Sequence, residues 1–297
     1  MDVGELRQWP DAQQKWLGRG SFGEAFRALY CGTPAAVKEL LTGKDQMAAV
    51  RREAREELKR EIGILSALRH PNIVCMIAFD SRYIVMDMYQ GNARKLRSLE
   101  DVAIVGRDCM RGISYMHLHG KCIVHGDIKP DNILVNYDPN GNISKAALGD
   151  VGLARACAKA LRDRDFQGTP GYTPAPNPVV HSMHDLYSLA VSLLDAFLGE
   201  SPGDVHASNE DYNLDDNTSC FLTRVPDPAY RDVISDMLST YLLEKVSKAE
   251  KGELLRDIIF GWDTIANNLH ANSGMSSVIS SDRSMDALTA MSVINTF

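Results

Sequence analysis

The chain has 297 residues, 44% hydrophobic and 24% charged, which is enough for one large domain or two lobes sharing a cleft. Its net charge of −7 argues against a general affinity for nucleic acid or anionic membrane. The polar start MDVGELRQWPDAQQKW has no signal-type apolar core, and no stretch approaches the roughly 18 apolar residues of a membrane span. The six cysteines are scattered, with no C-x-x-C pair, as suits free thiols. A soluble cytoplasmic protein is expected, with a nuclear pool also open.

Residues 16–39 alternate Gly-containing turns with short apolar stretches and end in PAAVKE, which predicts strand, Gly loop, strand, turn, strand. Residues 45–68 are rich in strong helix formers. Ile62, Leu65 and Leu68 mark the buried face of that helix, and Glu and Arg mark its charged face. HPNIV breaks the helix, and CMIAF and YIVMDMY then read as strands joined at Asp80–Ser81–Arg82. Beyond Gly91 the pattern becomes helical. Val105, Cys109, Ile113 and Met116 form a buried stripe on a helix ending near Gly120. NILVNY and KAALGD flank DPNGN, whose Asn140–Gly141 signals a hairpin turn. Residues 185–198 are apolar on nearly every face and read as a central helix, and 200–218 read as an acidic surface loop. Helical patterns return at 229–246 and 249–268, followed by a Ser-rich tail. The order is a small strand-rich lobe, a linker near 87–92 and a larger helical lobe, with the cleft between them as the default ligand site.

Several residues in this order carry chemistry. In GRGSFG, the glycines Gly18, Gly20 and Gly23 permit a tight hairpin whose N–H groups approach phosphate oxygens. A structural turn fits them as well, and so would a dinucleotide fingerprint, but that should open a helix, and the strand-like EAFRALY and PAAVKE that follow disfavour it. Lys38 in AAVKEL sits in a half-buried strand, where a cation needs an anionic partner. Glu61, just before the apolar IGIL, is favoured for this role. Glu53, Glu56 and Glu57 are expected to be solvated and paired along their own helix. In HGDIKPDN, Asp127 can accept a hydroxyl proton, Lys129 can neutralise a transferring phosphoryl group, and the Asn132 oxygen suits a hard cation. Asp150 in GDVGLA is a second candidate metal ligand.

The series GRGSFG, AAVK, Glu61 with HPNIV, VMDMY, HGDIKPDN, GDVG, GTPGY and DLYSLAVSLL resembles eukaryotic-type protein kinases of the Ser/Thr class, over roughly residues 15–265. The resemblance implies an α+β, bilobal protein kinase-like fold, with a small antiparallel β-sheet lobe carrying one helix and a larger, mainly helical lobe. The implied organisation is an N-terminal extension at 1–14, a kinase domain at 15–268 (N-lobe 15–88, C-lobe 91–268) and a tail at 269–297. It further implies ATP with Mg²⁺, or Mn²⁺ in its place. Gly18, Gly20 and Gly23 would cover the phosphates, and Lys38, paired with Glu61, would bind them. Asp127 would be the catalytic base and Lys129 would approach the γ-phosphate, with Thr169 bridging the two. Asn132 and Asp150 would hold the metal. Ala25, Ala36 and Leu134 would wall the adenine pocket, with Met86 as the gatekeeper at its back, and the backbones of Asp87 and Met88 would bond adenine. The implied partners are proteins bearing Ser or Thr, together with either a regulatory partner for the tail or docking of the tail on the body. Nucleic acid and membrane are not expected.

The chain departs from the family at several positions. Gly126 stands where an Arg often pairs with a phosphorylated activation segment, so phosphate there should have less electrostatic grip. Val151 replaces a Phe, and Ala25 a Val. Asn177 replaces a Glu whose partner Arg has no convincing counterpart, Lys245 being the nearest. Two other readings are a nucleotide-binding pseudokinase scaffold and a small-molecule kinase. The first would normally have lost a metal or Lys position. The second shares the His-Gly-Asp and Asn spacing but not Lys129, GDVG or GTPGY.

Overall fold

A computed structural model of the chain describes residues 6–11, 15–19, 23–40, 48–156, 168–173, 182–199, 221–240 and 247–272. Gly20, Asn177, Lys245, the acidic stretch 200–218 and the tail beyond Asn272 lie outside the described residues.

The first lobe is built on an antiparallel sheet of β1 (Leu6–Gln8), β2 (Trp16–Arg19), β3 (Gly23–Tyr30), β4 (Thr33–Leu40), β5 (Met76–Phe79) and β6 (Tyr83–Asp87), in the order β1–β3–β4–β6–β5. β2 pairs Glu24–Phe26 of β3, and β1 pairs Ala28–Tyr30 of the same strand. Leu6–Gln8, within the stretch expected as an extension, therefore cover a sheet edge whose backbone groups would otherwise be open. Cys31 and Gly32, both with positive φ, close the β3–β4 hairpin in the twist-matched manner. Alternation sorts the side chains. Ala28, Ala35, Val37, Ala78 and Val85 form a cluster on one face, which leaves Ala25, Lys38 and Ile84 in one row of the other face and Ala36 beside Met86 in the next. Helix α1 (Ala48–Ala67) buries the stripe Ala54, Leu58, Glu61 and Leu65, so one of its core-facing positions is a carboxylate.

The short strand β7 (Gly91–Asn92) leads into α2 (Leu99–Leu118). Ser98 caps α2 by accepting the Asp101 N–H at 3.1 Å. Strands β8 (Ile123–Val124), β9 (Ile133–Tyr137), β10 (Ile143–Leu148) and β11 (Arg155–Ala156) form two small sheets, β10–β9–β7 and β11–β8. α2 lies along the β10 edge, where Asp101 accepts the Ile143 N–H at 3.2 Å and Asp108 accepts the Ala146 N–H at 2.9 Å. These two carboxylates pair backbone groups of an edge that, among the described residues, is otherwise met only by the short bridge of Ile73 to Leu148. The β9–β10 turn is held by Asp138, which accepts the N–H groups of Asn140 and Asn142 at 2.9 Å each, while Gly141 takes φ +85°.

Helices α3 (His184–Leu198), α4 (Pro228–Ser239) and α5 (Lys248–Asn272) complete the second lobe. α5 opens with a reciprocal capping box. Ser247 accepts the Glu250 N–H at 3.2 Å, and Glu250 accepts the Ser247 N–H at 2.8 Å. The helix runs past 268, the expected end of the domain. Among the described residues no helix is long and apolar enough to cross a membrane.

Candidate active site

Two polar clusters line the cleft between the lobes. The first joins the sheet to α1. β4 places Lys38 on the cleft-facing row, and its ammonium donates to both Glu61 oxygens, at 2.9 and 2.7 Å, and to Asp150 Oδ1 at 3.1 Å. Burial works against the Lys38 ammonium, yet the Glu61 and Asp150 carboxylates outweigh it and hold its pKa above the ordinary lysine value. At Asp150 desolvation pushes the carboxyl up, and the Lys38 charge and hydrogen bond more than reverse it, leaving the pKa below the usual carboxylate range. Asp150 takes a left-handed backbone, φ 49°, that turns its side chain back towards Lys38. Gly152 covers this trio so closely that a Cβ there would lie 3.2 Å from Asp150 Oδ1, 3.7 Å from Lys38 Nζ and 3.8 Å from Glu61 Oε2.

The second cluster is the loop between β8 and β9. Asp127 Oδ1 accepts the Thr169 hydroxyl at 2.6 Å and the Thr169 N–H at 3.1 Å. Lys129 Nζ donates to Asp127 Oδ2 at 2.9 Å and to Thr169 Oγ1 at 2.7 Å, which closes a ring of Asp, Lys and Thr. The Asn132 amide nitrogen donates to the Asp127 carbonyl at 2.8 Å and to Oδ2 at 3.0 Å, leaving its oxygen as the free end. Pro130 opens a short 3-10 turn through Asn132, so β9 starts directly after the Asn.

Beneath the loop lies a buried support. Asp185, at the start of α3, accepts the backbone N–H groups of His125 at 2.8 Å and Gly126 at 2.9 Å, and pairs with His117 Nε2 at 2.8 Å. Desolvation pushes the Asp185 carboxyl up, but the His117 hydrogen bond and the Gly126 N–H more than offset it, and its pKa lies below the usual value. His125 Nε2 donates to the Gly149 carbonyl at 3.0 Å, and its Nδ1 accepts the Asp127 N–H at 3.3 Å. The two contacts together require the neutral Nε2–H tautomer. Gly126 takes φ +79°, a left-handed backbone that a residue without Cβ adopts at little cost.

The structure therefore groups Lys38 with Glu61 and Asp150, and Asp127 with Lys129, Asn132 and Thr169. Ala25, Ala36 and Met86 lie on the same sheet face as Lys38, with Leu134 on β9 against Gly149 and Asp87 ending β6. Gly18 is on β2, Gly23 opens β3, and Met88 follows β6. Asp185, His125 and His117 were not singled out from sequence. An acidic residue opening an otherwise apolar helix was the available signal, since a carboxylate there must be paired. One expectation needs correcting. Glu57 is not a solvated residue, because its side chain is 18% exposed and meets Arg155 of β11 as well as Arg60 of its own helix. Glu56, 64% exposed beside Arg52, does behave as expected.

The donor set fits a divalent metal ion. Asn132 and Asp150 offer a neutral and an anionic oxygen, the ligands a hard divalent cation prefers, and nucleotide phosphates would complete its shell. Among the described residues no group of three or more His, Cys, Asp and Glu forms a closed metal site.

Comparison with known proteins gives the same picture. The family described as Protein kinase domain matches residues 12–252. Similar proteins include Receptor-like kinase TMK2 of Arabidopsis thaliana, 29% identical over 221 residues (67% of this chain and 24% of that protein). Serine/threonine-protein kinase VIK of Arabidopsis thaliana is 30% identical over 217 residues (66% and 47%). Aurora kinase B of Danio rerio is 29% identical over 238 residues (75% and 71%). The chain spans less than half the length of the two Arabidopsis proteins.

Proposed function

The chain belongs to the protein kinase family, and from that premise we propose that it transfers the γ-phosphate of ATP to Ser or Thr hydroxyls of proteins. The observation that carries this reading is the ring of Asp127, Lys129 and Thr169. It sets a proton acceptor and a fixed cation side by side, where an incoming hydroxyl and a phosphoryl group would meet. Asp127 orients the substrate hydroxyl and receives its proton as the oxygen bonds to the γ-phosphorus. The bond from that phosphorus to the β,γ-bridging oxygen breaks, and ADP leaves with the electron pair. Lys129 balances charge on the transferring group. Lys38, paired with Glu61, binds the α- and β-phosphates. Asn132 and Asp150 would hold Mg²⁺, which neutralises phosphate charge when bound. Ala25, Ala36, Met86 and Leu134 supply apolar surface for adenine.

With Gly126 in place of Arg, the same reading assigns the enzyme little dependence on activation-segment phosphate. The test is transfer of radiolabelled phosphate from Mg·ATP to a generic basic protein and to a peptide array. Wild type labels Ser or Thr, Asp127→Asn and Asp150→Ala do not, and phosphatase treatment changes wild-type activity little. Failure of the wild type to transfer phosphate under all these conditions would overturn the reading.

A further inference from the structure

Arg155 links β11 to α1. Its Nη1 donates to the carbonyl oxygens of Gly152, at 3.0 Å, and Ala154, at 2.8 Å. Its Nη2 faces Glu57 Oε1 on α1 at 3.6 Å, with side chains only 10% and 18% exposed. The other Glu57 oxygen pairs with Arg60 at 2.6 Å, so each oxygen has its own guanidinium. Glu57 precedes Glu61 by about one helical turn on the same face. Gly152, whose carbonyl Arg155 grips, is the residue lying over Lys38, Glu61 and Asp150.

From these contacts we propose that Glu57 and Arg155 form a built-in electrostatic clamp. It seats α1 against the metal-binding loop and so positions Glu61, Lys38 and Asp150 for catalysis. Both are positioning residues, since neither touches the reacting atoms. The apolar face of α1 is made by Ala54, Leu58 and Leu65, with Ile62 and Ile64 packed against the same core, and the buried Glu61 carboxylate lies among them. The helix also rests on the turn Val151–Leu153 that Arg155 braces. A helix whose core face includes a carboxylate is open to displacement, and a partly desolvated charge pair biases it towards the seated position. Lys38 ties α1 to the loop from the sheet side and Arg155 ties it from the far side. A carboxylate is charged without modification, so the clamp closes as the chain folds. This explains how a chain with Gly126 keeps α1 seated without phosphate, and in that respect it rests on the proposed kinase activity.

The test is a cycle of Glu57→Gln, Arg155→Gln and the double variant in the full chain, with Glu56→Gln as an exposed control. Each is assayed for kcat and peptide KM, and for backbone hydrogen exchange without nucleotide. Glu57→Gln should lower kcat about tenfold with KM within about twofold, the double variant should be no slower than Arg155→Gln alone, and Glu56→Gln should match wild type. Exchange should rise in α1 and at 151–156 but not in α2 or α3. An unchanged kcat for Glu57→Gln, multiplying losses in the double variant, or unchanged α1 exchange each overturn the clamp. The exchange readout stands even if wild type transfers no phosphate, so failure of the clamp and failure of the activity are told apart.

Discussion

The carboxylate of Asp185 accepts the backbone N–H of Gly126 at 2.9 Å, across 59 residues of sequence. It takes the neighbouring His125 N–H with its other oxygen, at 2.8 Å, so the main chain that presents Asp127 hangs from a buried anion on α3. Asp185→Asn keeps the shape but offers one acceptor where two N–H groups and His117 converge. The expected outcome is a stability loss of about 2–4 kcal/mol in urea titration, with kcat falling further than the folded fraction does. An Asn variant with wild-type stability and kcat would show that the loop does not depend on this anchor.

Gly168 presses against the same loop from the activation-segment side. A Cβ there would overlap the Gly126 carbonyl oxygen and lie 2.8 Å from Thr173 Cγ2. Backbone yields little, so Gly168→Ala should move Thr169 away from Asp127. A displacement of about 1 Å at reacting groups costs on the order of a hundredfold in rate. Steady-state kinetics should show that loss in kcat, with ATP KM changed much less.

A different glycine fixes helix packing rather than chemistry. On α2, a Cβ at Gly106 would lie 2.7 Å from the indole of Trp262, which is fully buried on α5 and meets Tyr230 edge-on at 6.0 Å. Gly106→Ala therefore overpacks the α2–α5 contact. It should cost about 1–3 kcal/mol in denaturant unfolding. Activity measured well below the melting transition should stay within about threefold of wild type, because no cleft residue shifts.

The grouping of the candidate site residues was legible in the sequence because its members stand in short motifs whose spacing the backbone preserves. Asp127, Lys129 and Asn132 lie within one turn-forming loop. Lys38 and Glu61 follow from burial, since a cation in an apolar strand and an acid before an apolar run need each other. Asp185 escaped because its partners are backbone N–H groups and a histidine from distant segments, which leave no periodicity. Glu57 was misplaced for a related reason. Helical spacing shows only neighbours on its own helix, and Arg155 arrives from β11. β1 escaped because Leu6–Gln8 is short and polar, and its place is set by the free edge of β3.

His70, between α1 and β5, makes stability sensitive to mild acid. Its Nδ1 accepts the Asn72 N–H at 3.1 Å, and its ring stacks on Tyr115 at 5.0 Å. Burial, with the Arg111 and Lys145 charges, lowers its pKa from 6.5 to about 4. The folded state thus holds the neutral ring at pH values where the unfolded chain already binds a proton. Between those two values the unfolded state carries the extra proton, so stability rises with pH across the window and is lost as pH falls through it. Above 6.5 both states are neutral and the effect vanishes. Allowing for partial solvent screening, the change amounts to about 1–3 kcal/mol. His70→Gln keeps an acceptor for Asn72 but cannot take up the proton. Urea unfolding at pH 7.5 and pH 5, values chosen on either side of about 6.5, should show wild type losing more stability than the variant. Equal losses in the two proteins would show that protonation of His70 is not the source.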